Sequence, residues 1–178
     1  MSYLAQHDFL TELPNRMLLN DRLTQAMAAA LRHHTSLAVL FVDVDHFKPI
    51  NDAQGHAVGD ALLKSISRRL IACVRTTDTV SRHGGDEFVV LLSEVTRKED
   101  ATVSAEKILT ALRIPHRILE KGRYGFASGQ EKWAWPTRIL RVLRAADRGA
   151  CRNLNPDLRV SDTRGGTAVL QSISGIQR

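Results

Sequence analysis

Two cysteines in 178 residues, Cys73 and Cys151, are too few and too far apart for a disulfide framework or a paired metal-binding motif. No apolar run approaches the ~20 residues needed to cross a bilayer, so no membrane segment is expected in this chain. The first residues lack the basic-then-apolar order of a secretory signal. A reducing, cytoplasmic setting is the default that follows, and Cys73, in an apolar helical stretch, reads as a buried thiol. Net charge is also absent from most of the chain. The formal +6 divides into 14 Lys+Arg against 14 Asp+Glu over residues 1–118, and 11 against 5 over residues 119–178. The sequence pI near 9.8 therefore belongs to the last third. A global basic-protein argument for a nucleic-acid partner fails on that distribution. What remains is 43% hydrophobic and 25% charged, a composition that suits one globular domain with a real core.

After a short leader, Met1 to Gln6, the stretch Asp8-Phe9-Leu10-Thr11-Glu12-Leu13-Pro14-Asn15-Arg16 offers Leu10 and Leu13 for packing and Asn15 as an N-cap. A helix is predicted from about Arg16 to Arg32, with Leu18, Leu19, Leu23, Met27, Ala30 and Leu31 on one side. Leu37 to Val42 is a continuous apolar run that reads as a buried strand. It leads into Asp43-Val44-Asp45, where two carboxylates at i and i+2 share one face if the strand continues. Lys48, Pro49, Asn51 and Asp52 read as a turn region. A second helix opens around Ala57 and keeps its period through Leu62, Leu63, Ile66, Leu70 and Ile71. Arg97 to Asp100 reads as a polar connection, and Ala101 to Leu112 as a third helix ended by Pro115.

The stretch Arg82-His83-Gly84-Gly85-Asp86-Glu87-Phe88 joins a strand from Thr79 to the apolar run Val89 to Leu92. Glycine reaches positive φ without a Cβ clash, so the pair marks a tight hairpin and leaves the backbone bare to a ligand. Asp86 and Glu87 follow at once and would point to opposite faces of a strand beginning there. A carboxylate pair beside a bare backbone suits a hard cation carrying a phosphate. Taken alone, the same residues also describe an ordinary hairpin with solvated acids.

The surrounding residues carry a resemblance. The hairpin resembles the signature of the GGDEF family, the diguanylate cyclases. Asp8-x-Leu10-Thr11-x-Leu13-x-Asn15-Arg16 is similar to the pattern that opens that family's domain. Phe41-x-Asp43-x-Asp45-x-Phe47-Lys48-x-x-Asn51-Asp52-x-x-Gly55-His56-x-x-Gly59-Asp60-x-x-Leu63 resembles its second block. Arg75-Thr76-Thr77-Asp78 ends five residues before the glycine pair, the spacing of the family's product-inhibition site. On its own, that stretch would be a solvated connector with a weak ion pair.

The resemblance implies an α/β (α+β) sandwich like a nucleotidyl cyclase or polymerase palm, with helices against a mostly antiparallel sheet. It implies condensation of two GTP into cyclic di-GMP with Mg2+ or Mn2+, one GTP per domain, so that two copies face each other as a homodimer. By position, Asp43, the Val44 carbonyl and Asp86 would hold the metal, and either Asp86 or Glu87 would assist deprotonation of the attacking hydroxyl. Lys48 and the backbone at His46 and Phe47 would contact the outer phosphates. Asn51 and Asp60 would read guanine, Gly84 and Gly85 would make room for the nucleotide, and His56 matches a family position near the site. Arg75 and Asp78 would capture cyclic di-GMP as inhibitor. The early start of the pattern suggests part of a longer sensor protein.

From about Leu119 the family pattern stops, which divides the chain into a recognisable part, 1–118, and a divergent basic part, 119–178. The expected small-residue strand, the Ala-Asp helix and the late Gly-Arg turn are not found; Gly122-Arg123-Tyr124 is a poor stand-in. The segment carries nine Arg and two Lys, both tryptophans (Trp133, Trp135), and one helical patch at Thr137 to Ala146. A shifted reading frame or rearranged gene end would explain both changes. An Arg/Trp-rich tail for nucleic acid is the alternative, without a motif to support it. Without the late basic groups, two other readings stay open: a silent cyclic di-GMP receptor, and a GTP-binding domain that does not cyclise.

Overall fold

The apolar run after Ser36 forms the central strand β1 (Ser36–Val44), which is buried on both faces. The computed structural model describes residues 3–116 and 118, with the strands at 137–145 and 170–172. Chain order is a 3-10 turn (Tyr3–Ala5), α1 (Arg16–His33), β1, α2 (Phe47–Gln54), α3 (His56–Cys73), β2 (Thr79–Gly84), β3 (Glu87–Val95), α4 (Lys98–Arg113), β4 (Thr137–Ala145) and β5 (Leu170–Ser172). The strands lie in the order β2-β3-β1-β4-β5. Every pairing is antiparallel except that of β4 with β5. This is the α+β arrangement expected from the sequence.

Burial of alternate residues on opposite faces explains why β1 is apolar from Leu37 to Val42. Its even-numbered residues Ala38, Leu40, Val42 and Val44 pack with Leu62, Leu63, Ile66 and Leu70 of α3 and Ala105, Ile108 and Leu112 of α4. Its odd-numbered Leu37 and Val39 pack with Leu19 and Leu23 of α1 and Val89 and Leu91 of β3. Helices on both faces thus cover one sheet. Burial of a Leu or Ile side chain contributes roughly 1.5–3 kcal/mol, so these two layers hold the site's scaffold.

α1 begins where Asn15 accepts from the Met17 and Leu18 amides, as its residue type predicts. On this helix Leu31 is exposed and Leu18 only half-buried, so its apolar face is narrower than the sequence pattern. Ile71 of α3 is likewise exposed, and Cys73 is only part-buried at the end of that helix.

Four local expectations change. β1 ends at Val44, so Asp45 lies in the following turn and does not share a strand face with Asp43. His46 takes a left-handed conformation there and turns the chain into α2. Lys48, Asn51 and Asp52 are helical rather than in a turn, because Pro49 sits in the first turn of α2, where an amide has no intrahelical partner to lose. Lys98, Glu99 and Asp100 belong to α4, which starts where Asp100 accepts from the Arg97 amide at 3.1 Å. Thr137–Ala145 is a strand, not a helical patch: it pairs with β1 from Leu37↔Ala145 to Val44↔Thr137. Gly122-Arg123-Tyr124, Trp133, Trp135 and Cys151 lie outside the described residues.

Candidate functional site

β1 and β3 run antiparallel with Asp43 opposite Glu87, so the end of the central strand meets the start of the hairpin's second strand. The hairpin closes on Gly84↔Glu87, leaving Gly85 and Asp86 as the two-residue turn. Gly84 and Gly85 have φ of +146° and +51°, values that an L side chain rarely adopts, and a Cβ added at either would meet nothing within 4 Å. The space above the turn is open, as a nucleotide would require. Strand β3 begins at Glu87, so Asp86 sits in the turn and Glu87 on the strand.

Asp43 is the electrostatic centre of this corner. Its pKa is raised, first by burial and then by repulsion from Asp86, Asp45 and Glu87. A cation at this corner would relieve the repulsion that Asp43 meets from its neighbours. Among the described residues, no group of three or more His, Cys, Asp and Glu side chains stands ready to hold a metal ion. The ligand set expected here is two carboxylates and one backbone carbonyl, Asp43, Asp86 and Val44, which such a grouping does not include. Hard oxygen donors with uncompensated negative charge fit Mg2+ or Mn2+.

The start of α2 adjoins this corner in sequence. His46 caps it without a side-chain hydrogen bond, and no acidic residue occupies its first turn. Exposed amides and the positive end of the helix dipole therefore remain for an anion. Lys48, in that first turn, is exposed, and Phe47 packs partly against the core. Asn51, one turn on, has a buried Oδ1 without a hydrogen-bond partner. It lies against Gly59 of α3, and Asp60, the following residue of that helix, is exposed. His56, also exposed, opens α3 one turn before Asp60. The structure therefore brings Asp43, Asp86, Glu87 and the α2 N-terminus to one corner, with Asn51 and Asp60 on the adjoining helices.

Arg75 and Asp78 lie elsewhere. They precede β2, and the glycine turn follows it, so the strand separates the two sites by roughly 17 Å at ~3.3 Å per residue. The Asp78 carboxylate accepts from the Arg75 amide at 2.9 Å and from the Ser93 amide at 3.0 Å. Its role is to build the turn that presents the exposed Arg75, rather than to pair with the Arg75 side chain.

Two residues of the site region had no functional assignment from sequence. Arg82, 8% exposed, meets both carboxylate oxygens of Asp8 through Nη1 at 3.0 and 2.9 Å. The same guanidinium donates to the Gly85 carbonyl from Nε at 3.1 Å and from Nη2 at 2.6 Å. The available signal was that both residues lie inside motifs; nothing local pairs them. His83 is half-buried with Nε2 unpartnered, and burial, then Arg16, lowers its pKa.

One sheet covered by helices on both faces, with a glycine hairpin and a carboxylate corner beside a helix N-terminus, defines an α+β domain of a recognisable class. The profile of the family described as "Diguanylate cyclase, GGDEF domain" matches residues 5–151. The chain belongs to that family. It is 51% identical over 115 residues to the bifunctional diguanylate cyclase/cyclic di-GMP phosphodiesterase MucR of Pseudomonas aeruginosa, covering 65% of this chain and 17% of MucR. It is 44% identical over 118 residues to the diguanylate cyclase TpbB of the same species, covering 66% of this chain and 27% of TpbB. The chain thus spans well under a third of either relative. The solved GGDEF domain of TpbB superposes with a TM-score of 0.67 at 38% identity, over 78% of this chain and 74% of that one.

Proposed function

We propose that this domain condenses two GTP molecules into cyclic di-GMP, and that the carboxylate corner around Asp43 is where it does so. The single observation that carries this reading is the register that sets Asp43 opposite Glu87 with Asp86 in the adjoining turn, where these acids repel Asp43. A protein keeps such a repulsive cluster where a cation and its phosphate ligand compensate it. Asp43, Asp86 and the Val44 carbonyl would hold Mg2+ or Mn2+, which when bound lowers the hydroxyl pKa and neutralises the leaving pyrophosphate. The amides at His46 and Phe47 and the Lys48 ammonium bind the β- and γ-phosphates. Asn51 and Asp60 orient guanine through its N1–H and 2-amino group, which adenine does not offer together. Asp86 or Glu87 takes the proton of the attacking 3′-hydroxyl. Each domain binds one GTP, so the reaction needs two copies face to face, in a cytoplasmic protein longer than this domain.

Arg75 is the product contact, on a turn that Asp78 prebuilds through two backbone amides. That observation favours a second reading, a cyclic di-GMP receptor with little or no turnover, since the bonds that build the turn come from Arg75, Asp78 and Ser93. We treat that segment as a divergent end of the domain, of which β4 contributes a strand beside β1. The test is to strip bound nucleotide, add GTP and Mg2+, follow products by chromatography, and titrate cyclic di-GMP on the same sample. Turnover that Asp86→Ala and Glu87→Gln abolish, with product binding retained, marks the enzyme. Binding without turnover in the unmodified chain marks the receptor. Neither activity would overturn both.

A further inference from the structure

We propose that Arg82 and Asp8 form a positioning pair for Asp86, locking the glycine turn in the conformation that aims the Asp86 carboxylate at the cation corner. The inference rests on the metal-site reading above. It starts from a difficulty in the sequence. Asp86 follows two glycines with open space around both, so little in the turn itself restricts the backbone from which it springs. Repulsion of Asp43 by Asp86, Asp45 and Glu87 acts to open the corner further. Something outside the turn must hold it.

The Arg82 guanidinium is placed to do this. Nε and Nη2 both donate to the Gly85 carbonyl, at 3.1 and 2.6 Å. That oxygen and the Asp86 amide belong to one rigid peptide plane, so fixing the oxygen fixes the bond from which Asp86 springs. The other side of the fork grips Asp8 at 3.0 and 2.9 Å. Asp8 is itself held: it accepts from the Thr11 amide at 2.8 Å and from the Thr11 hydroxyl at 2.7 Å. Its own amide donates to the Leu13 carbonyl at 2.8 Å, and the Arg82 amide donates to the Pro14 carbonyl at 3.0 Å. The N-terminal turn and β2 are thus stitched by backbone as well as by charge. A buried arginine needs its charge paired and its donors used, and here both are met by the two segments that must stay together. The pair also ties the turn ahead of α1 to the site. A displacement of that turn would reach Asp86 through Arg82 as well as the core through Leu13.

The experiment uses the full chain as wild type, Asp8→Asn and Arg82→Lys, with Arg69→Ala as a control. Arg69 ties α3 to the Ala111, Ile114 and Pro115 carbonyls at the end of α4, so its loss lowers stability without touching the turn. Mn2+ affinity is read from the electron paramagnetic resonance signal of free ion, and amide exchange is read at Gly85, Asp86 and Glu87. Asp8→Asn should weaken Mn2+ binding about tenfold, the low end of what loss of an outer-shell partner costs a metal site. Exchange at the turn should rise by a similar factor. Arg82→Lys should behave alike, because an ammonium cannot grip two sides as a guanidinium does. Arg69→Ala should change neither while folded. Wild-type Mn2+ affinity and turn exchange in folded Asp8→Asn and Arg82→Lys would overturn the proposal. If wild type itself does not bind Mn2+, the metal reading fails, and the exchange measurement alone decides whether the pair positions the turn.

Discussion

Replacing Gly59 by alanine should leave the domain folded yet impair its recognition of GTP. A Cβ at this position would lie 1.9 Å from Asn51 Oδ1, 3.0 Å from Asn51 Cγ and 3.2 Å from Phe47 Cζ. The first distance is impossible, so something must move, and the obstacle is the tip of a side chain rather than backbone. Overpacking of this kind costs about 1–3 kcal/mol. Alanine in a helix interior returns about 1 kcal/mol over glycine. The two nearly offset each other, leaving a destabilisation of roughly 0–2 kcal/mol. The functional effect is separate. Asn51 Oδ1 is buried without a partner, a state that a guanine N–H would relieve. Swinging Asn51 aside forfeits hydrogen bonds worth about 0.5–1.5 kcal/mol each, roughly 3- to 10-fold in GTP affinity. Equilibrium denaturation and GTP titration of Gly59→Ala, Asn51→Ala and the double variant measure both quantities. Gly59→Ala should weaken GTP binding in the wild-type background and add nothing on top of Asn51→Ala. Unchanged GTP affinity in folded Gly59→Ala would refute the reasoning, because Asn51 would then not be the side chain that glycine makes room for, or not a reader of the base.

Asp43→Asn should raise metal-free stability at pH 7 by about 1 kcal/mol, the usual gain from relieving a functional site of its repulsion. The same variant should lose the rise in melting temperature that Mn2+ gives the wild type, and differential scanning calorimetry with and without the ion checks both. His116, pressed by burial and then by Arg69, has its pKa lowered from 6.5 to about 4. Between those values the unfolded chain binds the extra proton, so stability should climb as pH rises from about 4 to 6.5 and level off above. His116→Gln should flatten that part of the profile in denaturant titrations across this range. Arg75→Ala should weaken cyclic di-GMP binding without lowering the melting temperature. Asp78→Ala should do both, because it also strips acceptors from the Arg75 and Ser93 amides. Equal cyclic di-GMP affinity in Arg75→Ala and wild type, by calorimetric titration, would remove Arg75 from the product site.

Much of this molecule is legible in its sequence because the relevant physics is local. The 3.6-residue period marked α3 through Leu62, Leu63, Ile66 and Leu70, all buried. The unbroken apolar run of β1 announced a strand covered on both faces, and the two glycines announced the turn between β2 and β3. Asn15 capped α1 as its short polar side chain allows. The acidic residues that make up the candidate site were equally visible, since each lies in a contiguous motif, whereas the helix start at Phe47 read as a turn. Tertiary structure decided the rest, for one reason: the partner lies far along the chain. Arg82 and Asp8 are 74 residues apart, and no periodicity links a buried arginine to the carboxylate that satisfies it. Arg69 and His116, 47 apart, meet only because α3 packs beside α4. Thr137–Ala145 has apolar residues at helical spacing, and pairing with the open edge of β1 overrides that local preference. A chain can specify its own turns and faces residue by residue. Which strand fills an edge, and which acid meets a buried base, depends on what else the fold brings there.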